Sequence, residues 1–219
     1  RNGLLLDECY IKDCQAGVAL IDNDASIVSI SRSKFETVST GWALSIISSS
    51  SLTSFLSIEN NIISDCSKGL YVDFYGQHAS ISNNELTNNE QAGMECTMKV
   101  VNPDSGSFIV SDNLVSQTTD GCALCLNSTE SNTEILVQRN VITQNSDKNP
   151  VVIDIDQCSE YPVVISDNTI SLNSASESVV YLKSSLCSAS SNSTFTRNVV
   201  TDNTFTKEET VAMNIVGDQ

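Results

Sequence analysis

The sequence ASISNNELTNNEQAGMECTM, residues 79–98, contains the central part of one short repeat. Apolar and polar residues alternate up to Ile81, an asparagine follows at Asn84, and a second alternating apolar segment begins at Met94. Alternation of this kind places successive side chains on opposite faces of a β-strand. The stretch therefore predicts short strands that are joined through a polar bend at Asn84.

The same pattern occurs eight times along the chain, at intervals of 23 to 30 residues. The residues in the anchor position, which Asn84 exemplifies, are Cys9, Ser33, Asn61, Asn84, Asn113, Asn140, Asn168 and Asn198. A unit of this length without helical periodicity is typical of a β-solenoid, since a propeller blade needs roughly 40 residues or more. We therefore predict an all-β fold, a right-handed parallel β-helix of about eight coils (a single-stranded solenoid), which forms one domain over residues 1–219.

Two apolar rows accompany the anchors and are expected to form the core. One lies three residues before the anchor, from Leu6 to Phe195, and the other lies two residues after it, from Ile11 to Val200. The anchor itself is expected to form an inward ladder, because a side-chain amide both donates and accepts hydrogen bonds. The asparagines assigned to this ladder are Asn61, Asn84, Asn113, Asn140, Asn168 and Asn198.

A second inward row is expected five residues after the anchor. Its asparagines are Asn89, Asn145, Asn173 and Asn203. Glycine follows this row in most repeats, where we expect a corner that needs positive φ. These glycines are Gly17, Gly41, Gly69, Gly93 and Gly121.

The repeat resembles those of the pectate-lyase-like superfamily of parallel β-helices, and the resemblance extends from Leu4 to about Val216. It implies the fold, but many activities share that fold. Polygalacturonase-like hydrolases of the superfamily carry N-T-D, D-D, G-H-G and R-I-K segments, none of which this chain contains. Its one histidine, His78, has no matched acid or base nearby in the sequence. The sequence accordingly identifies no catalytic residue, no metal ligand and no cofactor.

The charge of the chain excludes some classes of partner. Eleven Lys and Arg residues oppose 27 Asp and Glu residues, which gives a formal charge of −16. Such a field repels phosphate backbones and anionic membrane surfaces. No apolar run approaches the ~18 residues that a membrane-spanning helix needs. We therefore expect neither nucleic-acid binding nor direct membrane insertion by this chain.

The eight cysteines suggest an oxidising compartment. Cys158 and Cys187 occupy matching places in the closing loops of adjacent coils, so we predict a disulfide between them. No partner is evident for Cys125, and the pairing of the remaining cysteines stays open. The five remaining cysteines are expected to point inward as free thiols: Cys9, Cys14, Cys66, Cys96 and Cys122.

Two glycosylation sequons begin at Asn127 and Asn192, both in predicted loops. Together with the cysteines they favour an extracellular or cell-surface location. Both ends of the chain carry repeat sequence, so we expect a fragment of a larger extracellular protein. With secretory features, repeat sequence at both ends and no catalytic motif, the chain resembles the β-helix modules of large metazoan cell-surface proteins, including one at insect tricellular junctions. This resemblance implies a role in adhesion or spacing at cell contacts.

An outward apolar stripe gives the most specific hypothesis on function. The slot four residues before the anchor should face outward, and in three successive coils it holds Ile109, Leu136 and Val164. Such a patch is either an interface or a surface covered by another segment. We therefore expect a non-catalytic adhesion or scaffold module that binds a protein partner or a second copy. The alternative is a carbohydrate-active lyase, hydrolase or epimerase with a divergent site, and carbohydrate is a possible ligand in either case.

Overall fold

A computed structural model describes residues 3–21, 26–48, 55–99, 106–129, 133–147, 149–156, 162–184, 193–207 and 211–217. Within these ranges the regular structure is entirely β, and every strand pair is parallel. The chain is a parallel β-solenoid, which confirms the predicted fold class. Each coil contributes one strand to each of three long sheets, so the sheets run the length of the solenoid.

The three long sheets contain eight strands each. Sheet A consists of β1 (Gly3–Asp7), β4 (Ile27–Ser31), β7 (Phe55–Glu59), β10 (His78–Ser82), β13 (Gly106–Ser111), β16 (Thr133–Gln138), β20 (Val163–Ser166) and β24 (Ser193–Thr196). Sheet B consists of β2 (Tyr10–Cys14), β5 (Lys34–Val38), β8 (Ile62–Ser64), β11 (Glu85–Thr87), β14 (Leu114–Ser116), β17 (Val141–Thr143), β21 (Thr169–Ser171) and β25 (Val199–Thr201).

Sheet C completes the coil after sheet B. It consists of β3 (Val18–Ile21), β6 (Trp42–Ser48), β9 (Lys68–Tyr75), β12 (Ala92–Lys99), β15 (Leu124–Thr129), β19 (Val151–Asp156), β23 (Ser178–Ser184) and β27 (Val211–Gly217). A fourth, three-stranded sheet lies between sheets B and C in the last three coils, with β18 (Ser146–Asp147), β22 (Ser174–Ala175) and β26 (Thr204–Phe205). We number the coils 1 to 8 along the chain, by the order of their strands in sheet A.

Two residues per coil adopt left-handed backbone conformation and make the bends around sheet B. Those between sheets A and B form the first corner, which consists of Glu8, Arg32, Asn60, Asn83, Asp112, Arg139, Asp167 and Arg197. Those at the far end of sheet B form the second corner, which consists of Asp13, Thr37, Asp65, Asn88, Gln117, Gln144, Leu172 and Asp202. Their φ angles lie between 48° and 60°. Asn and Asp tolerate this region better than other non-glycine residues, which explains the polar composition of the corners.

The repeated glycines have a different role from the one predicted. Among them only Gly41 has a positive φ, of 80°. At Gly69 an added Cβ would lie 2.2 Å from the carbonyl oxygen of Gly93 in the next coil, and at Gly121 it would lie 1.5 Å from that of Gln91. Gly17 and Gly93 are similarly crowded. The expectation of positive φ was therefore wrong at four of the five positions, because these glycines allow neighbouring coils to approach closely.

The anchor asparagines lie inside the solenoid and form a continuous ladder. From Asn61 to Asn168, the backbone N–H and the Nδ2 of each asparagine both donate to Oδ1 of the asparagine in the next coil, at 2.8–3.1 Å. Nδ2 also donates to a backbone carbonyl of the preceding coil, as from Asn113 to Ile81 at 2.9 Å. Asn61 to Asn168 are almost fully buried, whereas Asn198 is partly exposed. The amides thus satisfy each other where water cannot reach them.

The second ladder is interrupted at Thr118. Asn145, Asn173 and Asn203 repeat the same bonding pattern, and Thr118 donates its backbone N–H to Oδ1 of Asn145 at 2.9 Å. Its hydroxyl Oγ1, however, is buried without a hydrogen-bond partner. A buried hydroxyl that makes no hydrogen bond destabilises the folded state.

We expect Thr118→Val to leave the free energy of unfolding unchanged or to raise it by about 1 kcal/mol, because valine removes the unpaired hydroxyl and keeps the shape. Thr118→Ser is the control, since it keeps the hydroxyl and should lose about 1 kcal/mol with the methyl group. Urea unfolding followed by circular dichroism measures both. A valine variant that is clearly less stable than the wild type would show that the hydroxyl is bonded.

Candidate interaction surface

The predicted apolar stripe lies on the outer face of sheet A. Ile109 in β13, Leu136 in β16 and Val164 in β20 are direct register partners. Each of the three side chains is half-buried. Side chains in direct register are about 5 Å apart, so the three form one continuous apolar ridge across coils 5 to 7.

Three further apolar side chains on this face were not predicted from the sequence. Leu5 is 70% exposed, Ile27 is 45% exposed and Phe55 is 41% exposed. Ile27 and Phe55 are register partners in β4 and β7. Both lie six residues before their anchors, whereas Leu5 lies four residues before its own, in the slot of the ridge. The alternation that identified that slot would have revealed all three. The outer face of sheet A therefore carries exposed apolar side chains in coils 1 to 3 as well as the ridge in coils 5 to 7.

Alternating charges border this face along the first corner. Arg139 donates to both carboxylate oxygens of Asp112, each at 2.7 Å, and Arg197 binds Asp167 in the same way at 2.6 and 2.7 Å. Hydrogen bonds from the guanidinium groups lower the pKa of Asp112 and of Asp167. In coil 2, Arg32 contacts Asp7 and Glu8. Exposed pairs of this kind contribute little stability, but they leave the border with both signs of charge.

The outer face of sheet B carries a separate polar cluster on its first two strands, β2 and β5. The hydroxyl of Tyr10 donates to Oε2 of Glu36 at 2.7 Å, and Lys34 Nζ lies 2.9 Å from the same oxygen. These two hydrogen bonds lower the pKa of Glu36 to about 2. The carboxylate is therefore ionised and paired, which gives it no capacity for general acid chemistry near neutral pH.

The outer face of sheet C carries aromatic and acidic side chains. Trp42 stacks on Tyr71 with ring centroids 5.1 Å apart, and Lys68 Nζ lies 5.4 Å from the Trp42 ring centre. Asp73 and Asp154 share one row of this sheet but are separated by two strands, β12 and β15. At ~4.8 Å per strand they are ~14 Å apart, beyond the ~5 to 9.5 Å between the two carboxyl groups of glycosidases.

The remaining candidates for chemistry on the described residues have ordinary partners. Lys183 Nζ lies 3.5 Å from Oδ1 of Asp154. The ring of His78 contacts the Ser107 hydroxyl at 3.1 Å. Within the described ranges, no three side chains of the types that bind metals are grouped as a metal site would require. The same ranges contain no apolar helix long enough to cross a membrane.

The structure places a disulfide where the sequence did not predict one. Cys122 and Cys125 are bonded to each other. Cys122 was expected to point inward as a free thiol, which was wrong, because β15 begins only at Leu124 and strand alternation does not apply to Cys122. Of the cysteines expected as free thiols, the four that remain free are Cys9, Cys14, Cys66 and Cys96. The predicted pair Cys158 and Cys187 lies outside the described residues.

The first sequon lies on a strand and not in the predicted loop. Asn127 belongs to β15, where it pairs in register with Thr97 and Asp154. Its side chain is exposed on the outer face of sheet C, so it remains accessible to a glycan. Asn192 lies outside the described residues. Glycosylation at either asparagine stays a prediction.

Comparison with known proteins identifies the family of this chain but gives no information on its function. A family described as the right handed beta helix region matches residues 1–154. No curated protein and no solved structure matches the chain, so nothing supports the suggested likeness to a junction protein. The family match agrees with the parallel solenoid and its stacked coils. The chain therefore belongs to the right-handed β-helix family.

Proposed function

We propose that this β-helix is a non-catalytic extracellular adhesion or scaffold module, which binds protein, including a second copy of itself, through the outer face of sheet A. The observation that carries the proposal is the presence of two apolar groups on this face, one in coils 1 to 3 and one in coils 5 to 7. Leu5, Ile27 and Phe55 are exposed, and the ridge of Ile109, Leu136 and Val164 is partly exposed. Contiguous apolar side chains on a regular face favour association.

The size of the face favours weak binding. Strands of about five residues and eight strands at ~4.8 Å spacing give a face of about 16 Å by 35 Å, or about 550 Å² on each partner. A stable specific interface buries about 800 Å² per partner. A single contact is therefore expected to be weak, and copies arrayed at a cell surface would gain strength through avidity.

An antiparallel pair of copies matches this face to itself. The slot that holds the ridge in coils 5 to 7 holds Ser29, Ser57 and Ser80 in coils 2 to 4. In an isologous antiparallel pair the ridge of each copy meets the serine positions of the other, of which Ser29 and Ser80 are partly exposed and Ser57 is buried. At the border, Arg32 in coil 2 would then face Asp167 in coil 7 of the second copy. This arrangement thus brings opposite charges together.

Sedimentation tests the proposal through charge substitutions. We expect the wild type to self-associate, and more strongly at moderate than at low salt, because screening weakens repulsion between chains of charge −16. Leu136→Asp should abolish association. Val141→Asp is the matched control, since Val141 lies in the same coil on the outer face of sheet B. A wild type that stays monomeric at high concentration in both salts would defeat the homotypic contact.

Cross-linking tests the antiparallel register. A mixture of Ser29→Cys and Val164→Cys chains should form a disulfide-linked dimer, because coils 2 and 7 face each other. Ser29→Cys alone should not cross-link, since its two copies would be five coils apart, or ~24 Å. The wild type controls for links through the native cysteines. Cross-linking of Ser29→Cys with itself would indicate a parallel pair and contradict the register.

A carbohydrate-active enzyme is the second candidate, and the stacked Trp42 and Tyr71 favour a carbohydrate contact on sheet C. The separation of Asp73 from Asp154 argues against paired-carboxylate hydrolysis there. Release of unsaturated or reducing ends from polygalacturonate, alginate or glycosaminoglycans, with or without calcium, would support this candidate over the first. Loss of that release in Asp73→Asn or Asp154→Asn would locate the site.

A further inference from the structure

The Cys122–Cys125 disulfide does not join one coil to another. It closes a loop between residues three positions apart in coil 5. The stabilisation that a disulfide provides by restricting the unfolded chain grows with the length of the closed loop, so this bond provides close to the least possible. A role in holding the solenoid together therefore does not account for it.

The backbone around this disulfide is already fixed on both sides. The carbonyls of Cys122 and Ala123 accept hydrogen bonds from Gly93 and Met94 of coil 4, at 3.1 and 2.8 Å. On the other side, the N–H groups of Ala123 and Leu124 donate to the carbonyl of Pro150, at 3.0 and 3.1 Å. Breaking the S–S bond leaves all four hydrogen bonds in place. The local structure is thus expected to persist in the reduced state.

Both cysteines are within reach of solvent. Each is half-buried, and Cys125 lies on the outer face of sheet C between Glu95 and Val152 of the adjacent strands. The free thiols of Cys66 and Cys96 are by contrast buried, and burial raises the pKa of both. Thiol–disulfide exchange needs a sulfur that an external thiolate can approach. Among the described cysteines, the bonded pair combines partial exposure of both residues with a second sulfur close enough to close the reaction.

We propose that Cys122 and Cys125 form a reversible thiol–disulfide exchange site whose partners are thiols or dithiols. A partner thiolate attacks one sulfur, the S–S bond breaks, and the other cysteine leaves as a thiolate that takes up a proton. A second thiol of the partner attacks the mixed disulfide, releases the first cysteine as a thiol and closes the partner's own disulfide. Two electrons and two protons pass to this chain, and the same steps in reverse restore its bond.

Differential alkylation after mild reduction tests this proposal. The native protein is treated with dithiothreitol or reduced glutathione, labelled with iodoacetamide and mapped by mass spectrometry. We expect label at Cys122 and Cys125 at least tenfold faster than at Cys66 and Cys96, which report opening of the core. Circular dichroism should not change, and oxidised glutathione should restore the bond.

A variant separates exchange from a structural role. Cys122→Ser combined with Cys125→Ser should fold and melt within a few degrees of the wild type. Labelling of Cys122 and Cys125 that appears only together with labelling of Cys96 would overturn the proposal, because reduction would then require unfolding. A double variant that fails to fold would overturn it equally.

Discussion

Gly69→Ala is expected to lower the free energy of unfolding by about 3 kcal/mol, the upper part of the range for overpacked positions. The added Cβ would lie 2.2 Å from the carbonyl oxygen of Gly93, which is backbone and cannot rotate away. Relief requires that coils 3 and 4 separate along sheet C, where β9 and β12 pair over most of their length. Chemical unfolding of the purified variant measures the loss.

Gly41→Ala provides the matched control for this prediction. Gly41 has a φ of 80°, and no atom lies within 4 Å of its added Cβ. Alanine there is strained by about 1 kcal/mol, because the left-handed region disfavours a Cβ. Equal losses in the two variants would mean that backbone conformation, and not the approach of neighbouring coils, determines the glycine positions.

Asn113→Leu is expected to destabilise the chain by about 3 kcal/mol, since each unpaired buried polar group costs about 1 to 3 kcal/mol. Oδ1 of Asn113 accepts from both the backbone N–H and Nδ2 of Asn84, and its Nδ2 donates to Ile81 and Asn140. Leucine leaves the Asn84 N–H without its partner among buried side chains, and it also removes one hydrogen bond each from Asn84 Nδ2, the Ile81 carbonyl and Asn140 Oδ1. Thermal and urea unfolding both report the loss.

The control for the ladder is Asn198→Leu. Asn198 accepts from Asn168 and donates to Ile165, but it is partly exposed. Water can replace part of its bonding, so the expected loss is about 1 kcal/mol. A loss at Asn113 no greater than that at Asn198 would show that the ladder contributes no more inside the stack than at its edge.

The fold could be predicted because its signals are local and repeated. The alternation around Ile81 and the anchor at Asn84 each recur once per coil, so a chance match at one repeat does not affect the assignment. The same pattern placed Ile109, Leu136 and Val164 in adjacent strands, and the structure has them in direct register. Periodicity therefore determines which residues share a row and a face.

Features that depend on atomic distance could not be predicted in this way. The close approach at Gly69 and the bond between Cys122 and Cys125 both depend on where the backbone leaves the repeat. Sequence alternation assumes an uninterrupted strand, which fails before Leu124. Exposure is equally non-local, because Phe55 and Leu136 occupy outward slots but differ in how much neighbouring side chains cover them.

The asparagine ladders give the solenoid an electrical polarity. Each amide–amide hydrogen bond in the first ladder runs from Nδ2 to Oδ1 of the next coil, although Nδ2 also donates to a backbone carbonyl of the preceding coil. Because every Oδ1 accepts from the preceding coil, the side-chain amide dipoles share one direction along the axis. Aligned dipoles add, as they do in an α-helix, which leaves partial positive charge toward the later coils and partial negative charge toward the earlier ones. Two solenoids that lie side by side in opposite directions bring unlike poles together, whereas two that point the same way bring like poles together.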